Sequence, residues 1–424
     1  MTAPFVRGAY AAGKGSIAFW DHWVPGANDV MTKLVMAWAD KEKVEAQIDY
    51  IPSQGNKNLL SITAESQAKA GHDIFAMPTW WPQAYADQLE PVNDIMEPLI
   101  KQNGKVNETV EYLALANGKW LGVPATSGSQ VKGPCSRIDL MKKFANIDVQ
   151  AMYPAGAKAQ ADNWTLDTFL KAAEACHKGG KPFGIGLGET SDSVDAAGAF
   201  LRAFGGELVN AKGDITVKSD AVRQWLEFYK KLMSFMPTDV TAWDDSSNNK
   251  WLVSGNGALI MNPPSSWAVA KRDAPKIAEQ CWTHGMPAGP KGRFTPFLPF
   301  FWSIWNFSKN KAAAKSLLVY LSQPAQAEAM VTASGGYDLP SFANMTKFKV
   351  WADASPPKGT LYHYPNPDHL DTWSIAASPA PPKIAQQIYA QATMTKMCVR
   401  YAQGEAMDKT LSWAEGELEG FMRT

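Results

Sequence analysis

The sequence predicts an α/β protein of more than one domain, and three observations lead to that class. Short strand-like segments, apolar at 16–20 and 72–77 and alternating at 47–51, are separated by stretches of about 10 to 15 residues whose apolar positions recur at helical spacing. The chain has 424 residues, more than one domain usually holds. Apolar residues are 46% of it, enough for a core that needs no disulfide or metal. We therefore expect βαβ units with mostly parallel sheets.

Each of the first three predicted strands is followed by proline or glycine residues that end it. The run 16–20 is broken by Pro25 and Gly26, and a helix is predicted over 30–38. The run 47–51 stops at Pro52, and the helix predicted over 59–70 is closed by Gly71. The run 72–77 stops at Pro78. In such sheets ligands bind at the carboxyl ends of strands, so the residues after these stops are candidate site residues.

Later parts of the chain predict further elements. Thr165 is a good N-cap for a helix, and residues 222–233 place their apolar side chains on one helical face that belongs in the core. Strands are predicted at 183–187 and 258–262. Residues 384–401 fit one long helix that stops at Gly404, and the spacing of Leu411, Leu418 and Phe421 predicts a last one.

Charge and motifs exclude several classes of protein. Lys plus Arg equals Asp plus Glu at 41 each, so the basic excess of a nucleic-acid binder is missing. Phosphate-loop and nucleophile-elbow motifs do not occur, and the glycines at 184, 186 and 188 do not complete a dinucleotide motif. Close backbone packing explains those glycines better. The four scattered cysteines are predicted to be buried as small hydrophobic residues. We predict no cofactor and no metal.

Tryptophan is the unusual part of the composition. The chain has 17 Trp, and several stand in turn-like, polar surroundings. A Trp ring offers a flat apolar face and one N–H donor, which suits a ligand that is partly apolar and partly polar. A sugar ring has this character, because its C–H faces are apolar and its rim carries hydroxyls. His22 and Trp23 follow the first strand, and Thr79, Trp80 and Trp81 follow the third. These are the first candidate ligand contacts.

Several motifs, in order from about residue 15 to 424, resemble one family. They are FWDHW, HDIFAMPTWWPQAYADQLEPVND, NGKWLGVPATSGS, WTLDTFLKAAEAC, WLVSGNGALIMNPPSSWA, HGMPAGPKGR and GGYDLP. The series resembles the extracellular solute-binding proteins of sugar-type ABC transporters, the maltose-binding-like group. The resemblance implies a type II periplasmic-binding-protein fold: two lobes, each a mostly parallel sheet flanked by helices, with a ligand cleft between them.

The resemblance extends the set of candidate ligand-binding residues. Added to the five above, these are Ser127, Trp243, Asp245, Trp267, Trp302, Tyr337 and Asp338. Each has a structural alternative: Asp245 and its neighbour Asp244 could simply cap the helix that follows, and Trp302 could pack in the core. Where relatives carry polar side chains, residues 79–81 include two Trp, so stacking is expected to replace hydrogen bonding there.

The resemblance also implies a function and an organisation. We expect a periplasmic receptor of an ABC importer, monomeric and not an enzyme, that closes on a neutral sugar and delivers it to membrane permease subunits. The predicted lobes are 1–126 plus 280–328, and 127–279 plus 329–424. Residues 3–7 look like the sequence after a cleaved signal, which predicts a mature form. The alternatives are a receptor for a polyol or another small polar solute, and a carbohydrate hydrolase using carboxylates among Asp73, Asp244 and Asp245.

Overall fold

A computed structural model describes residues 14–261, 263–361 and 372–423, and within them the chain forms two compact units. Unit 1 comprises the described residues up to Gly128, Pro299–Ser334 and Pro340–Met345. Unit 2 comprises Ser129–Leu298, Gly335–Leu339 and the described residues from Thr346 onward. Each unit is therefore built from separate stretches of chain. The leader at residues 3–7 lies outside the described residues.

The strands in chain order are β1 Gly15–Trp20, β2 Ala46–Ile51, β3 Ile74–Pro78, β4 Leu115–Ala116, β5 Lys119–Trp120, β6 Val123–Val131, β7 Pro134–Arg137, β8 Leu259–Met261, β9 Cys281–Thr283, β10 Phe294–Ile304 and β11 Thr372–Ser374. The predicted strands at 16–20, 47–51, 72–77 and 258–262 correspond to β1, β2, β3 and β8.

The helices in chain order are α1 Ala27–Glu42, α2 Lys57–Ala68, α3 Trp81–Ala84, α4 Asn93–Asn103, α5 Glu108–Ala114, α6 Ile138–Ala145, α7 Val149–Met152, α8 Leu166–Lys178, α9 Ser191–Phe204, α10 Asp220–Met233, α11 Ser247–Val253, α12 Pro263–Asp273, α13 Pro275–Ala278, α14 Lys311–Leu321, α15 Pro324–Ala333, α16 Val350–Asp353, α17 Pro382–Ala390, α18 Thr393–Ala402 and α19 Met407–Phe421. No helix among the described residues is long and apolar enough to cross a bilayer.

The sheet of unit 1 has the strand order β10-β3-β1-β2. β1 pairs in parallel with β2 and β3, whereas residues 300–304 of β10 run antiparallel to β3. The strands β1 and β3 therefore end at the same edge, where the sequence predicted site residues. At the opposite edge, His72 Nδ1 lies 2.5 Å from Glu65 Oε1 and its Nε2 lies 2.9 Å from Asp49 Oδ2.

Unit 2 differs from the predicted parallel pattern. Its central sheet has the order β8-β7-β9, and both pairings are antiparallel. Residues 294–296 of β10 pair in parallel with β11. The expectation of a mostly parallel sheet is therefore correct for unit 1 and wrong for this sheet of unit 2, because β9 and β8 both return antiparallel to β7.

Three further expectations need correction. Residues 183–187 form no strand, only one bridge from Gly184 to Ile260. The helix predicted over 384–401 is two helices, α17 and α18, because Ala392 adopts a left-handed conformation between them. Residues 280–298 belong to unit 2 and not to unit 1, since β9 pairs with β7. Residues 329–334 and 340–345 belong to unit 1, where Asn107 N donates to Ser341 O.

Other expectations from the sequence are confirmed. Thr165 caps α8, because its Oγ1 accepts a hydrogen bond from the backbone N–H of Thr168. α10 buries the predicted apolar face, including Trp225 and Tyr229. All four cysteines are free thiols and are buried.

Candidate functional site

Aromatic rings gather in unit 1 where β1 and β3 end. The ring of Trp20, the last residue of β1, lies 4.9 Å from the ring of His22 and 5.5 Å from that of Phe300. Phe300 reaches this edge because it is in register with Pro78 at the end of β3. A side chain at Gly128 would have its Cβ 2.9 Å from Phe300 and 3.1 Å from Trp20. The backbone of Gly128 therefore packs directly against these two rings. We call Trp20, His22 and Phe300 the aromatic edge.

His22 is held in one orientation by its own loop. Its Nδ1 accepts a hydrogen bond of 2.9 Å from the backbone N–H of Val24, so the neutral ring carries its proton on Nε2. The backbone N–H of His22 donates to Asn28 Oδ1 at 3.2 Å, and Asn28 Nδ2 donates to Asp21 Oδ1 at 2.8 Å. These local bonds fix the turn after β1, so the imidazole is pre-oriented next to Trp20. Trp23 follows it and is half-buried.

Thr79 has an unusual backbone conformation. Its φ is +46°, a value that a β-branched residue rarely adopts, and it is buried. The backbone N–H of Thr79 donates to Pro299 O at 2.9 Å, which fixes it beside β10. A strained residue of this kind costs about 1–3 kcal/mol and is held by its surroundings, often at functional sites. The strain agrees with a functional role for the end of β3.

The two neighbouring tryptophans after Thr79 occupy different surroundings. Trp80 is fully buried, and its ring meets Tyr112 edge-on at 5.3 Å and 81°. Trp81 begins α3, is half-buried and packs against the core cluster that contains Phe75 and Trp305. Ligand contact by either ring stays a prediction. The loop is part of the packing of unit 1, however, so removing Trp80 would destabilise the fold by about 3–5 kcal/mol.

The remaining candidates of unit 1 lie on β10 and on β6, which pairs with it. Trp302 is buried on β10, with its ring 6.0 Å from that of Phe19. Ser127 is half-buried on β6, between buried neighbours. Trp302 therefore has core contacts, in line with its structural alternative, whereas Ser127 is within reach of solvent.

Unit 2 contains a buried cluster of charges that the sequence did not predict. Lys132, just after β6, places its Nζ 2.9 Å from Asp192 Oδ1 and 2.5 Å from Asp195 Oδ2. Asp192 and Asp195 are three residues apart on α9, so both carboxylates lie on one helix face. Asn248 Nδ2 donates to Asp192 Oδ2 at 3.1 Å. Asp245 adds a third carboxylate. We call Lys132, Asp192, Asp195 and Asp245 the acidic cluster.

The charges of this cluster perturb one another strongly. Burial alone would lower the pKa of Lys132, but Asp192 and Asp195 outweigh it and hold that pKa above its ordinary value. Burial, followed by the charge of Asp192, raises the pKa of Asp245 to about 7. Burial also raises the pKa of Asp195. Perturbed groups of this kind are typical of functional sites, although buried ion networks show them too.

Asp245 and its neighbour Asp244 have separate roles. Asp244 Oδ1 accepts hydrogen bonds from Ser246 N at 2.9 Å, Ser246 Oγ at 2.7 Å and Ser247 Oγ at 2.8 Å. Asp244 therefore caps the turn before α11, as the structural alternative predicted. Asp245 instead lies near Thr190 and the backbone of Asp192, which lower its pKa against the larger effect of burial. Its Oδ1 is buried and has no hydrogen-bond partner among the described residues.

Trp243 is held beside this cluster by the glycine-rich segment. Its ring lies 5.7 Å from that of Trp251. A Cβ at Gly184 would lie 2.3 Å from Trp251, and one at Gly188 would lie 2.2 Å from the carbonyl oxygen of Trp243. The prediction that these glycines serve close packing is confirmed, and they position Trp243.

The other predicted residues of unit 2 are buried. Trp267 on α12 donates through Nε1 to Pro356 O at 2.9 Å, and Lys271 Nζ lies 4.3 Å above its ring. Tyr337 and Asp338 are 1% exposed. Tyr337 interacts with Gln130 and lies in the field of Asp192 and Asp245, so it belongs to the surroundings of the acidic cluster. The contacts of Trp267 with Pro356 and Lys271 are structural, and ligand contact by Trp267 stays a prediction.

The residues that sequence reasoning missed are Trp20, Phe300, Gln130, Lys132, Asp192 and Asp195. A signal existed for the last three: a lysine directly after an apolar strand, and two aspartates at helical spacing. Arg137 and Arg293, which could have served an anionic ligand, are engaged elsewhere. Arg137 pairs with Asp139 at 2.8 Å, and Arg293 donates to the carbonyl of Met286 at 2.8 Å. In the part of the chain that the structure describes, no group of three His, Cys, Asp or Glu could hold a metal ion.

Two α/β units built from interleaved segments define the class of two-lobed solute-binding proteins. A family model described as bacterial extracellular solute-binding protein matches residues 34–356, and the chain belongs to this family. A probable ABC transporter-binding protein of Deinococcus radiodurans is 25% identical in an alignment 347 residues long, which covers 77% of this chain and 76% of that one. The predicted family and the two-lobed fold are confirmed, and the chain is a solute-binding receptor of the ABC-transporter type.

Solved structures share the fold at low identity. The maltose-bound MalE3 of T. maritima has a TM-score of 0.73 and 16% identity, covering 96% of this chain and 99% of that one. A sugar transporter from Arthrobacter chlorophenolicus A6 with bound laminaribiose has a TM-score of 0.72 and 16% identity, covering 96% and 98%. At this identity the likeness establishes the fold.

Proposed function

We propose that the chain is a carbohydrate receptor of an ABC importer. The observation that carries the proposal is the aromatic edge of unit 1, where Trp20, His22 and Phe300 meet at the carboxyl ends of β1 and β3. Ligands of α/β folds bind at such strand ends. Aromatic faces bind the C–H faces of sugar rings, and His22 adds a polar group with a fixed orientation. The structural neighbours with bound maltose and laminaribiose support the same ligand class.

The hydrolase alternative finds little support in the three carboxylates that suggested it. Glycosidases need two carboxyl groups on either side of the scissile bond. Asp73 accepts hydrogen bonds from Ser308 Oγ, Ser16 N and Asn310 Nδ2, so it ties β1 to the residues before α14. Asp244 caps a turn. These contacts support a receptor without enzymatic activity.

The same proposal includes the partners and the location. The receptor would work as a monomer in the periplasm, in its mature form, and deliver its ligand to membrane permease subunits. Membership of an extracellular family and the likeness to an ABC transporter-binding protein support this arrangement. The differential affinity of the ligand for the closed state is what would signal to the permease.

A thermal-shift screen tests the ligand class. Neutral di- and oligosaccharides, polyols, sugar acids and amino acids would be compared at equal concentration. A carbohydrate at 100 times its Kd should stabilise the protein by about 2.7 kcal/mol. Stabilisation by amino acids or anions alone would contradict the proposal, and stabilisation by polyols alone would favour the second ligand class.

A substitution at Trp23 tests the position of the site. Trp23 follows the aromatic edge and is half-buried, so Trp23→Ala should leave the fold intact. The loss of one stacked ring should cost about 1.5–3 kcal/mol, which is roughly a tenfold to hundredfold loss of affinity in calorimetry. Trp413→Ala is the matched control, because Trp413 is also half-buried but lies on α19 under Arg400. Equal affinity in both variants would place the site elsewhere.

A further inference from the structure

The central sheet of unit 2 carries two cysteines on the same face. β9 runs antiparallel to β7, and their register places Arg137 opposite Cys281. Cys135 and Arg137 are two residues apart on β7, so their side chains point to one face of the sheet. Cys135 is therefore a diagonal neighbour of Cys281. Both cysteines are fully buried free thiols.

The twist of this strand pair brings the two thiols together. On the opposite face Ser136 is diagonal to His284, and Ser136 Oγ lies 2.7 Å from His284 Nε2. Because sheets twist with one hand, the twist shortens one diagonal on one face and the reverse diagonal on the other. The reverse of the diagonal from Ser136 to His284 is the one that joins Cys135 to Cys281. Diagonal neighbours are typically about 7–8 Å apart, slightly more than a disulfide usually spans, so the shortened diagonal is the one that a disulfide can bridge.

The two thiols interact with each other, and the sheet shields them. The Cys281 thiol, followed by burial, raises the pKa of the Cys135 thiol well above its ordinary value. Cys135 therefore stays protonated and reacts poorly once the sheet has formed. The Cys281 thiol donates to Ile277 O at 3.3 Å, and that carbonyl also accepts from Gln280 N at 2.9 Å. Loss of the Cys281 thiol proton would therefore leave the carbonyl paired.

We propose that Cys135 and Cys281 form a disulfide when the chain folds in an oxidising environment, while Cys176 and Cys398 remain thiols. The family is described as extracellular, and disulfides form and persist outside the cytosol. Cys176 on α8 differs from Cys135, because burial alone raises its pKa, to about 12. Cys398 on α18 lies near Tyr229. This pairing does not depend on the ligand class.

The oxidant is a second disulfide, such as oxidised glutathione or a disulfide oxidoreductase. The thiolate of one cysteine attacks it, which forms a mixed disulfide and releases one thiol. The other cysteine then attacks the protein sulfur of the mixed disulfide, forms the bond between Cys135 and Cys281, and releases the second thiol. Two protein S–H bonds are exchanged for one S–S bond, and the oxidant is reduced to two thiols that take up the two protons. These steps take place before β9 closes on β7, since both sulfurs are buried afterwards.

Refolding in a glutathione redox buffer tests the pairing. The full chain is reduced, unfolded in urea and refolded with reduced and oxidised glutathione, and the remaining thiols are alkylated after renewed unfolding. Mass spectrometry should find two alkylated cysteines, Cys176 and Cys398, and one cross-linked peptide pair that joins Cys135 to Cys281. Any other pattern, including four alkylated cysteines, would overturn the proposal.

Urea unfolding shows whether the bond belongs to the native sheet. The oxidised parent protein should have a urea midpoint at least about 0.5 M above that of the reduced protein, because the bond closes a long loop in the unfolded chain. Cys281→Ser should show no such difference, whereas the matched control Cys176→Ser, also at a buried cysteine, should keep it. A parent protein without the difference, or a Cys281→Ser variant that retains it, would overturn the proposal. The comparison within the parent protein needs no substitution, so it decides the question even if a variant does not fold.

Discussion

Lys132→Met removes the positive charge from the acidic cluster and should destabilise the protein strongly. The Lys132 side chain is 2% exposed, and the carboxylate of Asp195 that it pairs with is 1% exposed. Breaking a buried pair by removing one partner costs about 3–5 kcal/mol, because the remaining charge is left uncompensated. Methionine keeps most of the side-chain volume, so loss of packing adds little.

The destabilisation should depend on pH in a defined direction. Without Lys132, the pKa values of Asp195 and Asp245 in the folded state should rise further above their values in the unfolded chain. The folded state then binds more protons than the unfolded state, so the free energy of unfolding falls as pH rises. Lys132→Met should therefore regain stability as the pH is lowered from about 8 to about 5, more steeply than the parent protein.

Urea unfolding followed by tryptophan fluorescence measures both effects. Lys178→Met is the control, because Lys178 is 71% exposed and pairs with Glu174 on the surface of α8. Its loss should stay below about 1 kcal/mol at every pH. A loss of less than about 1 kcal/mol for Lys132→Met, or a loss that does not change with pH, would refute this account of the cluster.

Three smaller predictions concern single positions. Burial alone would lower the pKa of His72, but its carboxylate partners Glu65 and Asp49 raise that pKa overall. The two ion pairs therefore stabilise the protein fully below the pKa that His72 has in the unfolded chain. This stabilisation is lost as the pH rises through the pKa of His72 in the folded protein. His72→Gln should therefore cost about 1 kcal/mol at acidic pH and less at alkaline pH in chemical unfolding, and a pH-independent loss would contradict this. Lys43 ends α1 with φ at +56°, so Lys43→Gly should raise the free energy of unfolding by up to about 1 kcal/mol. Lys41→Gly, inside the helix, should lower it by a similar amount. Changes of the same sign in both variants would contradict this prediction. Gly184→Ala should destabilise the protein by about 1–3 kcal/mol in thermal unfolding, because the added methyl group overpacks against Trp251. Gly416→Ala on α19, with open space around it, should be neutral or stabilising. An unchanged stability of Gly184→Ala would show that Trp251 can move.

The sequence predicted the local parts of the fold well, because their signals are local. Apolar runs between turn residues located β1 and β3, and an alternating pattern located β2. Thr165 marked the start of α8 because its side chain bonds to a residue three positions further on. The antiparallel sheet of unit 2 could not be predicted from local patterns, because β9 pairs with β7, which lies more than a hundred residues earlier in the chain. The site followed the same rule. Strand ends were expected to carry the candidate residues, and the aromatic edge lies there, but the ion pair of Lys132 with α9 depends on tertiary packing.

Burial was the property that the sequence predicted least well. Trp80 belongs to a short segment flanked by Pro78 and Pro82, yet it is fully buried against Tyr112. The left-handed backbone of Thr79 turns the chain sharply just before it, and nothing in a β-branched residue predicts that conformation. Asp244 and Asp245 are adjacent and alike in sequence, but one caps a turn and the other enters the acidic cluster.

Because the two units are built from interleaved segments, the order of synthesis limits when each unit can complete its fold. The strand β10 lies next to β3 in the sheet of unit 1, yet its residues 300–304 leave the ribosome more than two hundred residues after β3. Until then β3 is an open sheet edge, which is a template for wrong pairing and aggregation. Unit 1 is complete only when residue 345 has emerged. Unit 1 of a nascent chain therefore stays unfinished through most of its synthesis, and β3 is exposed to wrong pairing for most of that time.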